Sequence, residues 1–382
     1  MENKTIGLVG KKCIQCHICE TVCPTKSISF DRNEKGFIVP SINEKCVNCG
    51  KCLSSCPVVS ETNRNNCFTR PLKTMFGFSN NTNDLTESSS GGIFYLLAKK
   101  AILSEFDVIS TIFSEDFRNC FYSNSTDSTI TKMRQSKYCE SDFSHVVERV
   151  NSNLQSNKKT LVCGTPCHIN ALRHKFGNDN NLYLVDFVCH GVPSTLIFGD
   201  MIDYYEKKLH GKITRINFRY KKSKYPSSLV LSIANERKHI FVPWDTDRFY
   251  FAFQKYWILR DSCYFCNFKD KHSGDITLGD FWEGNSLGIN VNNKAGCSLI
   301  FLNTKKGESM IDNILCELNA SELPSHNYYS IPHKKTSDYN KQALFFEIYK
   351  DKGFIKTCDY LFFKKQKLKS NIKKMLRLMG KQ

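Results

Sequence analysis

The sequence predicts two unlike parts, a small cysteine-rich α+β domain and then an α/β body with a mainly parallel sheet. Residues 1–62 hold two cysteine runs of identical spacing, separated by alternating apolar segments typical of a hairpin. Farther along, apolar strand-like runs alternate with loops and helix-like runs, the order expected of strands covered by helices. We expect boundaries that give four segments: 1–62, 70–150, 151–320 and a C-terminal extension, 321–382.

The two N-terminal runs share the spacing Cys-x2-Cys-x2-Cys-x3-Cys-Pro, which is typical of two-cluster ferredoxins. In such domains the fourth cysteine of each run ligates the other cluster. One [4Fe–4S] cluster is therefore assigned Cys13, Cys16, Cys19 and Cys56, and the other Cys46, Cys49, Cys52 and Cys23. Zinc sites use pairs of Cys-x2-Cys and not triple runs followed by Cys-Pro, so the pattern favours iron–sulfur clusters and a ferredoxin-like domain.

The cysteine content also bears on the compartment. The chain has 19 cysteines, and residues 1–12 contain no apolar segment of the kind found in signal peptides. The longest apolar stretch, 91–103, is interrupted by Lys99 and Lys100 and is too short to span a bilayer. We therefore expect a cytoplasmic protein whose cysteines serve mainly in metal ligation.

The formal net charge is +17, and part of it is concentrated at the C-terminus. Residues 360–382 include eight Lys or Arg, no acid, and apolar residues at helical spacing. This pattern predicts a basic amphipathic helix, either simply solvated or attracted to an anionic membrane surface or an acidic partner. Because no nucleic-acid motif interleaves the charge, no nucleic-acid partner is expected.

Periodicity predicts the order of elements in the body. Strands are expected at 73–78, 107–113, 158–162 and 182–188. Helices are expected at 93–103, at 168–176, after the loop 189–194 as far as about Leu209, and at 248–258. A polar segment at 61–66 reads as a linker, which suggests that the N-terminal domain and the body fold separately.

Four further cysteines fall at places where α/β proteins build sites. Cys167 and Cys189 each follow a predicted strand, and Cys263 and Cys266 form a Cys-x2-Cys on a turn. Four thiolates are enough for a third cluster. Buried free cysteines are also common in protein cores, and the spacing alone leaves both interpretations open.

The same region carries motifs of a known family. They are Ser90-Gly91-Gly92, Lys137-Tyr138, Gly164-Thr165-Pro166-Cys167, the run Asp186 to Ser194 (DFVCHGVPS), Asn217-Phe218-Arg219, Cys263-Tyr264-Phe265-Cys266, and the run Gly274 to Trp282 (GDITLGDFW). In this order, over about residues 70–320, the sequence resembles the coenzyme F-420 hydrogenase/dehydrogenase beta-subunit family. The resemblance implies a flavoprotein with FAD and a third [4Fe–4S] cluster. Glu283 stands where the family pattern leads us to expect glycine.

A serine- and glycine-rich loop, residues 88–92, opens a predicted helix. Alone it is more typical of a serine N-cap after a flexible turn than of a phosphate site. Given the resemblance, we expect Ser89, Ser90, Gly91 and Gly92 to contact the FAD pyrophosphate through backbone N–H groups. Lys137 and Tyr138 are expected to add a charge and a stacking ring, although they also fit a surface lysine beside a core aromatic residue.

These expectations combine into a function. A flavin converts the two electrons of a hydride into the single electrons that iron–sulfur clusters accept. The sequence thus predicts an oxidoreductase that passes electrons between a hydride carrier, coenzyme F-420 or NAD(P)H, and ferredoxin or a partner redox subunit. The alternative is an electron-relay adaptor without flavin that feeds a partner reductase, for example in surface-polysaccharide metabolism. Asp186 and His190 receive little catalytic weight, and no catalytic residue is assigned.

Overall fold

A computed structural model describes residues 4–59, 67–124, 129–224, 228–268, 271–282, 284–292, 294–323 and 339–379, with side chains as far as residue 362. The predicted linker at 61–66 and the departure at Glu283 lie outside these ranges. Among the described helices, none has the length and apolar character needed to cross a membrane.

The N-terminal domain is built from two short helices and one antiparallel hairpin: α1 (Ile18–Thr21), β1 (Ile28–Arg32), β2 (Ile38–Ile42) and α2 (Lys51–Ser54). A short 3-10 helix, Ile6–Lys12, precedes them. The hairpin turn contains Gly36 with φ of 80°, and a Cβ there would lie 2.6 Å from the backbone nitrogen of Leu196. Glycine is therefore required where the hairpin approaches the body.

The body contains a nine-stranded sheet and a separate three-stranded antiparallel sheet. The strands are β3 (Lys73–Ser79), β4 (Asp107–Phe113), β5 (Cys120–Asn124), β6 (Ser141–Asp142), β7 (Thr160–Cys163), β8 (Leu182–Phe187), β9 (Arg215–Asn217), β10 (Val230–Ala234), β11 (His239–Pro243), β12 (Ile276–Asp280), β13 (Ser298–Leu302) and β14 (Leu318–Glu322). The large sheet has the order β14-β3-β13-β12-β8-β7-β4-β5-β6, and the small one β11-β10-β9.

The large sheet is mixed, which corrects the expectation of a mainly parallel sheet. Its centre, β4-β7-β8-β12, is parallel, and β5 also runs parallel to β6. The pairs β12-β13, β13-β3, β3-β14 and β4-β5 are antiparallel. The α/β character is confirmed at the centre, where parallel strands end along a common edge.

The helices of the body are α3 (Thr82–Thr86), α4 (Ile93–Leu103), α5 (Val146–Gln155), α6 (Pro166–Phe176), α7 (Thr195–Leu209), α8 (Arg248–Gln254), α9 (Asp261–Tyr264), α10 (Lys305–Asp312) and α11 (Tyr339–Met379). Helix α8 ends earlier than the expected residue 258, because the chain turns at Tyr256, where φ is 62°. Helix α11 bends at Gly353 and buries Phe345, Phe346 and Phe354 in the core. The predicted amphipathic face of its last part falls on side chains outside the described residues.

The N-terminal domain shares apolar cores with the body. Phe37, on the hairpin, is 1% exposed and belongs to the core that contains α7 and α8. Ile14 and Ile18 pack with Val162 and Phe143 in a second core. The N-terminal domain therefore supplies side chains to the cores of the body, and separate folding of the two parts stays a prediction.

Candidate electron-transfer site

The first N-terminal cysteine set surrounds a cavity. Cys13, Cys16, Cys19 and Cys56 line about 280 Å³ of space, together with apolar residues and His17. Three of these thiols lie on the tight loop before and within α1, and the fourth comes from the second run. The structure thus brings together the four cysteines that the cross-ligation pattern assigns to one cluster, and they fit a cubane.

The second set is arranged in the same way. Cys23, Cys46, Cys49 and Cys52 line a cavity of about 340 Å³, with Cys23 supplied by the first run. Within the described ranges no three His, Cys, Asp or Glu side chains form a group that could hold a lone metal ion. Each cysteine set surrounds a cavity of its own.

The two sets differ in burial. Burial raises the pKa of Cys16 well above its ordinary value, and burial is also the main cause of the raised pKa values of Cys19 and Cys56. At Cys23 burial is outweighed by hydrogen bonds from Ser27 and Thr25, so its pKa is lowered. The first set therefore lies in a drier environment, and the second lies nearer to water.

Adjacent parallel strands position two of the four body cysteines. Strands β7 and β8 pair in parallel, so Cys167, at the start of α6, and Cys189, just after β8, follow the same edge of the sheet. The loop after Cys189 is tied to the segment before α9, because Arg260 N donates to Val192 O at 2.8 Å. Cys263, in α9, therefore lies beside the loop that follows Cys189. Val192 N, in that loop, donates to the Cys263 sulfur at 3.4 Å.

The four body thiols lie close enough to influence one another's ionisation. Burial raises the pKa of Cys189 well above its ordinary value, and Cys263, Cys167 and Cys266 raise it further. Burial, reinforced by Cys266, raises the pKa of Cys263 to about 12. Mutual repulsion among four buried thiolates is relieved when a cationic metal cluster binds them. The residues predicted as a third site are therefore together, and their chemistry fits a cluster.

Arg260 connects the body cysteines to the first N-terminal set. Its Nε donates to Cys13 O at 2.9 Å, and its Nη2 donates to Ile38 O at 2.7 Å. Its Nη1 donates to the buried carboxylate of Glu140. Burial alone would lower the pKa of Arg260, but Glu140 and the thiols of Cys13 and Cys263 outweigh it, so the pKa is raised. The guanidinium thus lies between the two cysteine sets as a fixed positive charge.

The predicted pyrophosphate loop is largely engaged with the protein itself. Ser90 Oγ donates to Cys297 O, and Gly91 N donates to Ser298 Oγ, both at 2.9 Å. Ser89 Oγ accepts from Ser136 Oγ at 2.9 Å. A Cβ on Gly91 would lie 2.3 Å from Gly77 O. Glycine at this position therefore has a packing reason, and Gly92, with φ of 87°, begins α4.

Lys137 and Tyr138 are both directed into the protein. Lys137 Nζ donates to Arg134 O at 2.7 Å, and burial lowers its pKa to about 8. The ring of Tyr138 packs against Phe253, Phe218 and Tyr250. The lysine is thus a buried amine near the loop, whereas the tyrosine is part of an aromatic core.

Three buried cations beside the loop were not selected from the sequence. Arg134, Arg219 and Lys221 are each less than one-tenth exposed, and Lys221 Nζ donates to Ser90 O at 2.6 Å. In the described part of the chain, the Nε atoms of Arg134 and Arg219 are buried without a hydrogen-bond partner. Such orphaned donors suit an anionic group next to the loop. Arg219 lies within a family motif, which is the one sequence feature that pointed to it.

Carboxylates lie close to these cations, and Asp280 and Glu87 both act on Lys221. Arg219 forms a two-pronged pair with Asp280, at 2.8 and 3.0 Å, and Arg134 lies 3.5 Å from Asp84. Burial, reinforced by Arg219, lowers the pKa of Lys221 to about 7. An additional negative charge at this place would be favourable.

Asp186 and His190 have structural partners. Asp186 is fully buried, and its Oδ2 accepts from Ser273 N and Gly274 N at 3.0 and 3.1 Å. His190 Nε2 lies 3.2 Å from Phe253 O, and its ring stacks on Tyr256. Both side chains therefore contact the loops around them.

The fold and the cysteine sets define an iron–sulfur protein of electron transfer. Residues 12–59 match the family model of the 4Fe-4S dicluster domain, and residues 157–324 match that of the C terminus of the coenzyme F420 hydrogenase/dehydrogenase beta subunit. The chain thus contains a 4Fe-4S dicluster domain, which supports two [4Fe–4S] clusters, and a later region that matches the C terminus of the coenzyme F420 hydrogenase/dehydrogenase beta subunit, in agreement with the resemblance of its motifs.

Solved structures that resemble this chain include a subunit of a hydrogenase complex. A chain of the xenon-derivatised F420-reducing [NiFe] hydrogenase complex from Methanosarcina barkeri is 17% identical, with a TM-score of 0.46. The match covers 66% of this chain and 82% of that one, and we draw nothing further from a likeness at this level. None of the curated proteins matches this chain.

Proposed function

We propose that the protein is an iron–sulfur flavoenzyme that exchanges a hydride with a two-electron carrier and single electrons with a partner protein. The observation that carries the proposal is the succession of three cysteine sets from the body to the surface. Cys167, Cys189, Cys263 and Cys266 are proposed to hold a third [4Fe–4S] cluster. Cys13, Cys16, Cys19 and Cys56 are proposed to ligate the next one, and Cys23, Cys46, Cys49 and Cys52 the last.

The contacts between the sets support this order. Arg260 bonds to Cys13 O and exerts its field on Cys263, so the body set and the first N-terminal set are neighbours. His168, next to Cys167, lies 2.9 Å from Ile14 O through its Nε2, and burial lowers its pKa to about 3, so the ring is neutral. The residues between these two sets are therefore buried and in contact with each other, which supports the proposed order of the clusters.

The buried cations support an FAD site. Arg134, Arg219 and Lys221 are proposed to hold the diphosphate beside Ser89, Ser90, Gly91 and Gly92. Lys137, whose amine donates to the backbone oxygen of Arg134, is proposed to add a further positive charge behind them. FAD supplies the exchange between two-electron and one-electron chemistry. In this arrangement Tyr138 is a supporting residue of the pocket wall and not a stacking partner.

The family model makes coenzyme F420 the first hydride carrier to test, with NAD(P)H as the second. The partner on the one-electron side is proposed to be ferredoxin or a redox subunit. The basic last part of α11, residues 360–379, is proposed as a contact with an anionic membrane.

A second function, an electron-relay adaptor without flavin that feeds a partner reductase, is favoured by one observation. The hydroxyl of Ser90 and the backbone N–H of Gly91 already have protein partners, so the loop itself has little left to offer a phosphate. In that case Arg134, Arg219 and Lys221 would serve only to hold the loop of residues 88–92 in place.

The deciding experiment is anaerobic purification followed by spectroscopy. The flavoenzyme should show flavin absorbance near one FAD per chain, and the flavin should bleach on addition of reduced coenzyme F420 or NAD(P)H. Protein that contains its clusters but no flavin, and binds none when FAD is added, would overturn the enzyme proposal and favour the adaptor.

A further inference from the structure

The second N-terminal set lies at the surface. Of the eight cysteines in the two runs, all of them described, Cys49 alone is exposed. It lines the second cavity together with Pro24 and Val47, which are also exposed, Val47 to 65%. A cluster held there would have its edge within reach of another protein, behind a small apolar patch.

Four lysines surround this patch. Lys4, Lys26, Lys45 and Lys51 are exposed, and each is the sequence neighbour of a residue that lines the cavity. Across the described residues, none of the four ammonium groups takes part in an ion pair, although many other lysines of the chain do. Glu44 is the one acid in the cavity-lining segments 4–5, 23–28 and 42–52.

We propose that this patch, defined as Pro24, Val47 and Cys49 with the four lysines, docks an acidic one-electron carrier protein of the ferredoxin type. This inference rests on the electron-transfer function proposed above. It assigns the exchange of single electrons with a partner protein to this face. A [4Fe–4S] cluster held by Cys23, Cys46, Cys49 and Cys52 would supply the one-electron chemistry on this side, one electron for each encounter. One protein is oxidised as the other is reduced, and no bond or proton is exchanged.

The charges of the patch distinguish between two possible binding partners, a second copy of this chain and an acidic carrier protein. A second copy of this chain would bring the same lysines against these lysines, which is unfavourable. An acidic carrier meets them with opposite charge, and the long-range attraction raises the association rate. A small apolar centre with a charged rim is typical of transient redox complexes, which bury less than about 1,200 Å² and separate quickly.

The test compares two triple variants of the full chain. Lys26→Glu, Lys45→Glu and Lys51→Glu together reverse the charge of the patch. Lys100→Glu, Lys175→Glu and Lys238→Glu make the same change in net charge on exposed lysines of the body. The probe is a reduced acidic 2[4Fe–4S] ferredoxin, mixed anaerobically with oxidised protein and followed by stopped-flow absorbance at several ionic strengths.

At low ionic strength we expect the patch variant to lose at least tenfold in second-order rate constant, and the body variant less than threefold. The wild-type rate should fall as salt is added, whereas the rate of the patch variant should rise, because salt screens the repulsion between its reversed charges and the acidic carrier. Electron paramagnetic resonance of the dithionite-reduced proteins should be the same in all three, which shows that the clusters are intact.

Equal rates in wild type and patch variant would overturn the proposal. It would also be overturned if patch reversal instead abolished self-association or binding to anionic vesicles, since the face would then serve a second copy or a membrane. A protein that lacks flavin but exchanges electrons with ferredoxin through the patch would contradict the flavoenzyme function and leave the docking face standing.

Discussion

Arg260 and Glu140 form a buried ion pair within the body, at its junction with the N-terminal domain. Both side chains are almost fully buried, and the guanidinium also donates to the backbone of Cys13 and Ile38. Glu140 Oε2 accepts from Ile38 N at 2.8 Å. The pair therefore holds β2 and the first cysteine loop against the site of the body cysteines.

Removal of one partner of this pair should be costly. Glu140→Ala leaves the positive charge of Arg260 buried without its carboxylate, and we expect a loss of about 3–5 kcal/mol in stability. The measurement is the thermal unfolding midpoint of anaerobically purified protein. Asp203→Ala, which removes an exposed partner of Arg118, is the matched control and should cost at most about 1 kcal/mol. Equal effects would show that the buried pair does not join the domains.

The metal content should distinguish a third cluster from buried free thiols. We expect about twelve iron atoms per chain, four for each of three clusters, after anaerobic reconstitution. Cys189→Ser should reduce this to about eight and retain the spectra of the N-terminal clusters, whereas Cys316→Ser, at an exposed cysteine, should leave it unchanged. Eight iron atoms in the wild type would eliminate the third site.

Flavin affinity should depend on pH through Lys221. Because the pKa of Lys221 is about 7 in the free protein, the amine is mostly neutral above pH 7. An anion beside it favours the protonated form, so binding takes up a proton and the affinity should fall by up to about tenfold per pH unit above 7. Titration of flavin-depleted protein with FAD from pH 6.5 to 9 measures this.

Two variants make the pH test specific. Lys221→Arg keeps its charge throughout the range and should flatten the pH profile, whereas Lys222→Arg, at the exposed neighbour, should leave it unaltered. A steep profile that persists in Lys221→Arg would mean that another group takes up the proton.

Substitution of Gly91 should lower the stability of the protein whether or not flavin is bound. A Cβ at this position meets Gly77 O and Ser298 N at 2.3 and 2.8 Å, and these are backbone atoms that cannot simply turn away. We expect Gly91→Ala to destabilise the protein by about 1–3 kcal/mol, with or without FAD. The thermal midpoints of flavin-loaded and flavin-depleted protein measure this. A loss confined to the flavin-loaded form would restore the simpler view that Gly91 makes room for the pyrophosphate.

Phe37 should contribute to the stability of the body although it belongs to the N-terminal domain. Phe37→Ala empties a fully buried position in the core that contains α7 and α8, and we expect a loss of about 3–5 kcal/mol. The exposed Phe121 is the control, since Phe121→Ala should have little effect on the thermal midpoint. A soluble, stable body obtained after deletion of residues 1–59 would contradict this role of Phe37.

The sequence predicted those parts that depend on local pattern. The hairpin, β3, β4, α4 and α7 agree with periodicity, and the cysteine spacing predicted which thiols lie together. The antiparallel side of the sheet was missed because β3 pairs with β13 and β14, more than 200 residues away, and no local pattern encodes such a pairing. The buried cations were missed for the same reason, since Lys221 meets Leu85 O and Ser90 O only in the folded chain.

The position of Phe37 has a consequence for biosynthesis. It lies on the hairpin between the two cysteine runs, and its ring completes the core of the body. The hairpin is flanked by the loops that enclose iron and sulfide. It is therefore expected to reach its folded position only when the clusters have been inserted. Chains synthesised during iron shortage would then lack a completely packed hydrophobic core as well as their metal. Proteolytic quality control would degrade such chains over their whole length.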